Sequence, residues 1–261
     1  MPPRSAVLFD LDNTLVSINT AFAERLTDEA WAKAIRIRPD LSLELLRATH
    51  QPVVIDVWRQ AEADIIARAP GSIDGLKVIY ETFRKTLEVA GCDDESVARV
   101  CFESYWARSR GGGIFSIYED VVETLEMLRG TCSLAVITNG PCITQRDKLE
   151  VLGLDTYFDV IVCSGDVGAA KPDPAIFEYV LHELGCTAAD SIHVGDSLIA
   201  DVAGANWAGI KSVWLNRGGA VREESDPKPD YEINSLGRLP MIAYHNGSHR
   251  RSPGRAPRSL A

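Results

Sequence analysis

The stretch AVLFDLDNTLV, residues 6–16, closes an apolar run with two carboxylates one residue apart, Asp10 and Asp12, followed by Asn13 and Thr14. In extended backbone, residues two apart project to the same side, so both acids share one face. Two like charges so placed repel unless a cation or a shared proton compensates them. A turn after a strand explains the residue types, since Asp, Asn and Thr favour turns, but it does not explain the pairing. Three other apolar runs lead into chemistry-bearing residues. Thr138-Asn139-Gly140 follows SLAVI, Lys171 precedes Pro172 in GAAKPDP, and Gly195-Asp196-Ser197 is joined by Asp201 five residues after Asp196. Each has a plain reading by itself: a turn, a solvated lysine, or a helix start capped by Asp196 or Ser197.

The elements that must carry these residues are legible as a pattern. Five short, β-rich apolar runs occur at 6–10, 133–138, 159–164, 191–196 and 211–216, the later ones separated by helical segments. One such segment, around 175–185, has Ile176, Val180 and Leu184 at core spacing and stops at Gly185. Continuous apolar strands alternating with helices specify an α/β protein with a parallel sheet covered on both faces. Ligands of such sheets bind beyond the carboxyl ends of the strands, which is where all four polar signatures fall. Between the first and second strands lies a long segment with no β-type runs. It reads as helical, with Trp31, Trp58 and Trp106 as core candidates, and it ends at Gly111–Gly113, a candidate hinge. The expected division is a core of 1–16 and 115–240, an inserted helical cap of 17–114, and a basic tail of 241–261 without fixed structure.

DLDNT, ITNG, AKPDP and GDSLIAD resemble, in order, the four motifs of the haloacid-dehalogenase-like hydrolase superfamily. The helical insertion matches that superfamily's type 1 cap. The segment from ITNG through KLEVLGLDTYFDVIVCSGDVGAAKPDPAIFEYVL looks like its branch of small-molecule phosphatases, which includes nucleotide and sugar-phosphate phosphatases. The resemblance implies a Rossmann-like core and a small phosphorylated metabolite as substrate. It also implies Mg2+ bound by the carboxylates of Asp10 and Asp196 and the backbone carbonyl of Asp12. Asp10 would then be the nucleophile, forming an aspartyl phosphate. A carboxylate meeting a phosphate dianion is repelled by roughly 8 kcal/mol at about 4 Å and an effective dielectric near 20, which magnesium and Lys171 offset. Asp12 would protonate the leaving alcohol and then deprotonate the attacking water. The Thr138 hydroxyl and backbone N–H groups around Asn139 and Gly140 would hold phosphate oxygens. Asp201 would hold Lys171 in place, while Asn13 and Thr14 fix the turn after the strand.

Dehalogenases of this superfamily lack the second aspartate, so Asp12 argues against carbon–halogen chemistry. A sugar phosphomutase keeps both acids and a helical cap and is the nearest alternative, ahead of a non-catalytic binding module. The net charge of −10 argues against a general binder of nucleic acid. No apolar run nears the roughly 20 residues that span a bilayer, and the N-terminus lacks a signal-peptide plan. Cysteines 92, 101, 132, 142, 163 and 186 are scattered without a CxxC pair, as in reduced thiols of a cytoplasmic protein. Within the cap, His50, Gln51, Trp58, Arg59 and Gln60 are the candidates for recognising a leaving group.

Overall fold

The strands β1 (Ala6–Phe9), β2 (Val16–Ile18), β3 (Phe115–Ile117), β4 (Ser133–Thr138), β5 (Val160–Cys163), β6 (Ser191–Gly195), β7 (Lys211–Leu215) and β8 (Tyr231–Ile233) form two sheets. The computed structural model describes residues 5–67, 75–109 and 113–248. The large sheet runs β5-β4-β1-β6-β7-β8 with every neighbour parallel. Apolar β1 lies at its centre, buried on both faces. Its side chains still alternate. Val7 and Phe9 join Val136 and Val194 in one apolar layer with Val121, Leu125 and Leu128 of helix α5 (Val121–Arg129). Ala6 and Leu8 join Ala135 and Ile137 in the opposite layer, under Ile176, Phe177 and Val180. Each large side chain fully buried in this way stabilises the fold by about 1.5–3 kcal/mol.

Among the described residues four helices lie between β2 and β3: α1 (Thr20–Ile37), α2 (Leu43–Ala67), α3 (Gly75–Val89) and α4 (Glu95–Ser109). They have a core of their own, built on Trp31, Leu46, Phe83, Leu87, Val97 and Cys101. Of the three tryptophans expected in it, Trp31 is buried, whereas Trp58 and Trp106 are half-buried and line a cavity. The chain enters and leaves this region side by side. β2 and β3 pair antiparallel, Val16 opposite Ile117 and Ile18 opposite Phe115. The boundaries expected at 16/17 and 114/115 therefore fall within a two-stranded ribbon, whose three-residue strands are too short to show periodicity.

After the core strands come α6 (Cys142–Val151), α7 (Ser164–Val167), α8 (Pro174–Leu184), α9 (Gly204–Trp207) and α10 (Leu239–Ser248). Helix α8 starts with Asp173 accepting from Ala175 N and Pro174 in its first turn, and stops at Gly185 in the left-handed conformation (φ 63°). α10 departs from the sequence expectation. Residues 241–248 are helical rather than structureless, because Leu239 and Ala243 pack into the core; residues 249–261 lie outside the described residues. Gly111 and Gly112 of the expected hinge also lie outside them. Gly113 is packed, since a Cβ there would sit 2.5 Å from the Phe22 ring. All six cysteines are free thiols. Among the described residues no helix is long and apolar enough to cross a membrane.

Candidate active site

Register decides which residues meet. Phe9 pairs with Val194 on one side and Val136 on the other, so Asp10, just past β1, sits between the ends of β6 and β4. Its N–H extends the ladder to Val194 O at 2.9 Å. Asp196, just past β6, is brought beside it, with its own carbonyl accepting from Trp214 Nε1 at 3.0 Å. Asn13 takes the left-handed conformation the turn requires (φ 60°), which asparagine tolerates, and its side chain bonds Asp196. The buried Oγ1 of Thr14, in the same turn, has no hydrogen-bond partner among the described residues. Its carbonyl is held instead, by Arg217 Nη2 at 3.0 Å.

Lys171 is buried and reaches two acids, Asp10 Oδ1 and Asp201 Oδ1, each at 2.6 Å. Asn139 fixes the Lys171 backbone from both sides, accepting its N–H at 2.8 Å and donating to its carbonyl at 2.7 Å. The Asn139 side chain is thus committed to Lys171. Asp201 lies in a π-helical turn, Leu198–Ala203, capped by Ser197, whose Oγ accepts from Ala200 N. Its second oxygen accepts from Ser197 N at 3.0 Å. Gly195 is required here, because a Cβ would fall 2.1 Å from Asp201 Cγ. His193 Nε2 lies 2.9 Å from Asp201 Oδ1; a carboxylate only accepts, so Nε2 carries the proton.

Asp12 faces elsewhere. Its Oδ1 pairs with Lys148 Nζ and its Oδ2 accepts from Gln145 Nε2 at 2.6 Å, both residues of α6. Gln145 Nε2 also donates to Thr138 Oγ1 at 2.7 Å, and Gly140 N does so at 3.1 Å. With its acceptor positions filled, the Thr138 hydroxyl keeps its proton to donate outward. Gly140 is tied to this contact, since a Cβ there would collide with the Gln145 amide at 2.1 Å.

Gln145, Lys148 and His193 escape a reading of the sequence. The signal for the first two was available: in α6 they share the buried stripe with Leu149, where apolar residues belong. His193 carries no such mark, being one polar residue in an apolar strand.

The electrostatics follow from two buried carboxylates, Asp10 and Asp201, and a half-buried one, Asp196, around one ammonium. Burial pushes the Asp10 carboxyl up to about 7, Lys171 opposing and Asp201 and Asp196 adding to the rise. Burial, with Asp201, lifts Asp196 to about 6. Burial would raise Asp201 too, but Lys171 and His193 hold it well below the usual carboxylate range. Burial opposes the charge on Lys171, yet Asp10 and Asp201 hold it firmly protonated. Oxygens of Asp10, Asp196 and Asp201 lie within 4.8 Å of one another. Asp201 is saturated by Lys171, His193 and Ser197, which leaves Asp10 and Asp196 under-compensated. An all-oxygen donor pair with excess negative charge fits a hard divalent cation. A cavity of about 1850 Å³ opens over these groups, walled on the cap side by Trp31, Arg47, His50, Gln51, Trp58 and Trp106.

A family model described as haloacid dehalogenase-like hydrolase matches residues 5–209. N-acylneuraminate-9-phosphatase of Homo sapiens is 32% identical over 241 residues, covering 91% of this chain and 92% of that protein. Phosphoserine phosphatase of Thermus thermophilus is 31% identical over 244 residues, covering 88% and 95%. Among solved structures, a 2-haloacid dehalogenase from Pseudomonas syringae superposes with a TM-score of 0.63 at 29% identity, covering 93% and 99%.

Proposed function

The chain belongs to the haloacid dehalogenase-like hydrolases, and from that premise we propose that it is a magnesium-dependent phosphatase acting on a small phosphorylated metabolite through an aspartyl phosphate. One observation carries the choice of chemistry. Two carboxylates from one five-residue stretch are held apart, Asp10 on Lys171 and Asp12 on Lys148 and Gln145. A dehalogenase has no use for the second acid, whereas an alkoxide leaving group needs a proton.

Asp10 presents the oxygen that Lys171 does not hold to the phosphorus, and Lys171 keeps that side chain from turning away. The Thr138 hydroxyl donates to a phosphate oxygen, as its filled acceptor positions require. Asp12 delivers a proton to the leaving oxygen and then takes one from the water that opens the aspartyl phosphate, help worth about 10²–10⁴-fold. Asp10 and Asp196 would hold magnesium with the Asp12 carbonyl, and the ion would neutralise charge where carboxylate meets phosphate. Asn139 acts by holding Lys171 and Asp201 by holding its ammonium, both short of substrate. The six free thiols fit a reducing, cytoplasmic setting.

The named substrates of the relatives, an N-acylneuraminate 9-phosphate and phosphoserine, share a primary phosphate ester and a carboxylate on otherwise different skeletons, so the proposal stays at the class of small phosphorylated metabolites. A screen of phosphorylated metabolites with magnesium, read as released phosphate, tests it. Turnover of at least one ester is expected from the wild type, and none from Asp10→Asn, whose amide is a poor nucleophile. Undiminished hydrolysis by that variant would refute covalent catalysis at Asp10, and phosphate release only when a sugar bisphosphate is supplied would point to a mutase.

A further inference from the structure

Lys148 is 7% exposed, and a lysine so buried requires a partner for its charge. It has two. Its ammonium pairs with Asp12 Oδ1 and lies 4.5 Å from the centre of the Phe115 ring. Phe115 opens β3, the strand that returns the chain from the helical insertion to the core. Gln145, one turn earlier on α6, takes the other Asp12 oxygen. Both oxygens of the acid are thus gripped from one helix. The carboxylate of Asp12 is correspondingly absent from the group of acids close enough to share an ion.

We infer that Lys148 is a positioning residue: with Gln145 it holds the Asp12 carboxylate toward the leaving group and away from the acids around Lys171, and through Phe115 it refers that position to the strand leaving the cap. This rests on the phosphatase reading, since only there does Asp12 exchange a proton with the substrate. The structure supplies the reason such a holder is needed. Asp12 stands on a turn one residue beyond Leu11, and its side chain is partly exposed, so neither burial nor strand geometry fixes its rotamer. A single bond from Gln145 would leave rotation about the last torsion free; a second donor on the other oxygen removes it. Placement matters steeply, a misplacement of about 1 Å being able to lower a rate about 10²-fold.

The test uses two esters of similar shape, phenyl phosphate and p-nitrophenyl phosphate, on the full-length protein with magnesium. Phenolate is a poor leaving group that needs the Asp12 proton, whereas p-nitrophenolate departs largely unaided. For Lys148→Met, kcat/KM for phenyl phosphate is expected to fall about 10- to 100-fold further than kcat/KM for p-nitrophenyl phosphate. A residue that only fills space or balances charge would lower both alike, and equal losses, or none, would overturn the inference. Lys148→Gln, which keeps a donor on a shorter stem, carries the same comparison where the methionine variant does not fold. If the wild type releases phosphate from neither ester, the failure lies with the phosphatase reading itself.

Discussion

Acid should weaken this protein through one residue of the cap. His50 is packed against Trp31, with ring centres 5.2 Å apart, and against Phe83 at 5.5 Å. Thr86 Oγ1 lies 3.0 Å from His50 Nδ1 and donates its own proton to Thr82 O, so Nδ1–H is the donor. Burial lowers the His50 pKa from 6.5 to about 4. The unfolded chain binds a proton near pH 6.5 that the folded chain refuses until about pH 4. Stability is therefore full above 6.5 and falls as the pH drops between those values. The one-site relation gives a loss of about 2 kcal/mol by pH 5, rising toward about 3 kcal/mol below pH 4. His50→Asn keeps a donor near the Nδ1 position and cannot titrate in this range. Urea unfolding of the two proteins at pH 7 and pH 5 measures the difference, in which carboxylates common to both cancel. The wild type should lose about 2 kcal/mol more than the variant over that interval. Parallel losses would show that His50 is protonated as readily in the folded cap as in the unfolded chain, and the argument from its burial would fail.

Magnesium should raise the melting temperature of the wild type, a ligand at about 100 times its Kd adding about 2.7 kcal/mol, and EDTA should reverse the gain. Asp196→Asn should lose most of that response, and a wild-type melting curve indifferent to magnesium would refute the cation site. Gly195→Ala places a methyl 2.1 Å from Asp201 Cγ, which must push that carboxylate off Lys171. Calorimetry should find a destabilisation of about 1–3 kcal/mol and assays a fall in turnover, whereas Gly218→Ala, which meets nothing within 4 Å, should stay within about 0.5 kcal/mol of the parent.

What the sequence disclosed and what it withheld divide along a physical line. The central strands were readable because burial on both faces leaves unbroken apolar runs, and Asp10, Lys171 and Asp196 because they stand at the ends of such runs or beside a proline, with Asp201 five residues past Asp196. Asn139 was visible as a position but not as a role: nothing local indicates that its amide closes on a lysine backbone thirty-two residues away. Thr14 was legible as a turn residue, whereas the hold of Arg217 on its carbonyl, from two hundred and three residues away, was not. Lys148 falls on the core stripe of α6 beside Leu149, but only the packing of that helix against Asp12 shows which partner its charge meets there. β8 and the β2–β3 ribbon are three residues per strand, below the length at which alternation says anything. α10 took its identity from Leu239 and Ala243 meeting the core, while its composition merges into a basic, Pro-rich terminus.

The ribbon of β2 and β3 has a bearing on how such a chain can change. Because Asn19 N bonds Ile114 O at 2.6 Å, the two ends of the inserted helices are already sewn together by the scaffold. Swapping one insert for a longer or shorter one adds little loop-closure entropy, since that term grows only with the logarithm of length. The hydrolytic machinery at the strand ends and the wall that selects its ester can thus be exchanged as separate cassettes, one conserved for its chemistry while the other is traded for a new clientele.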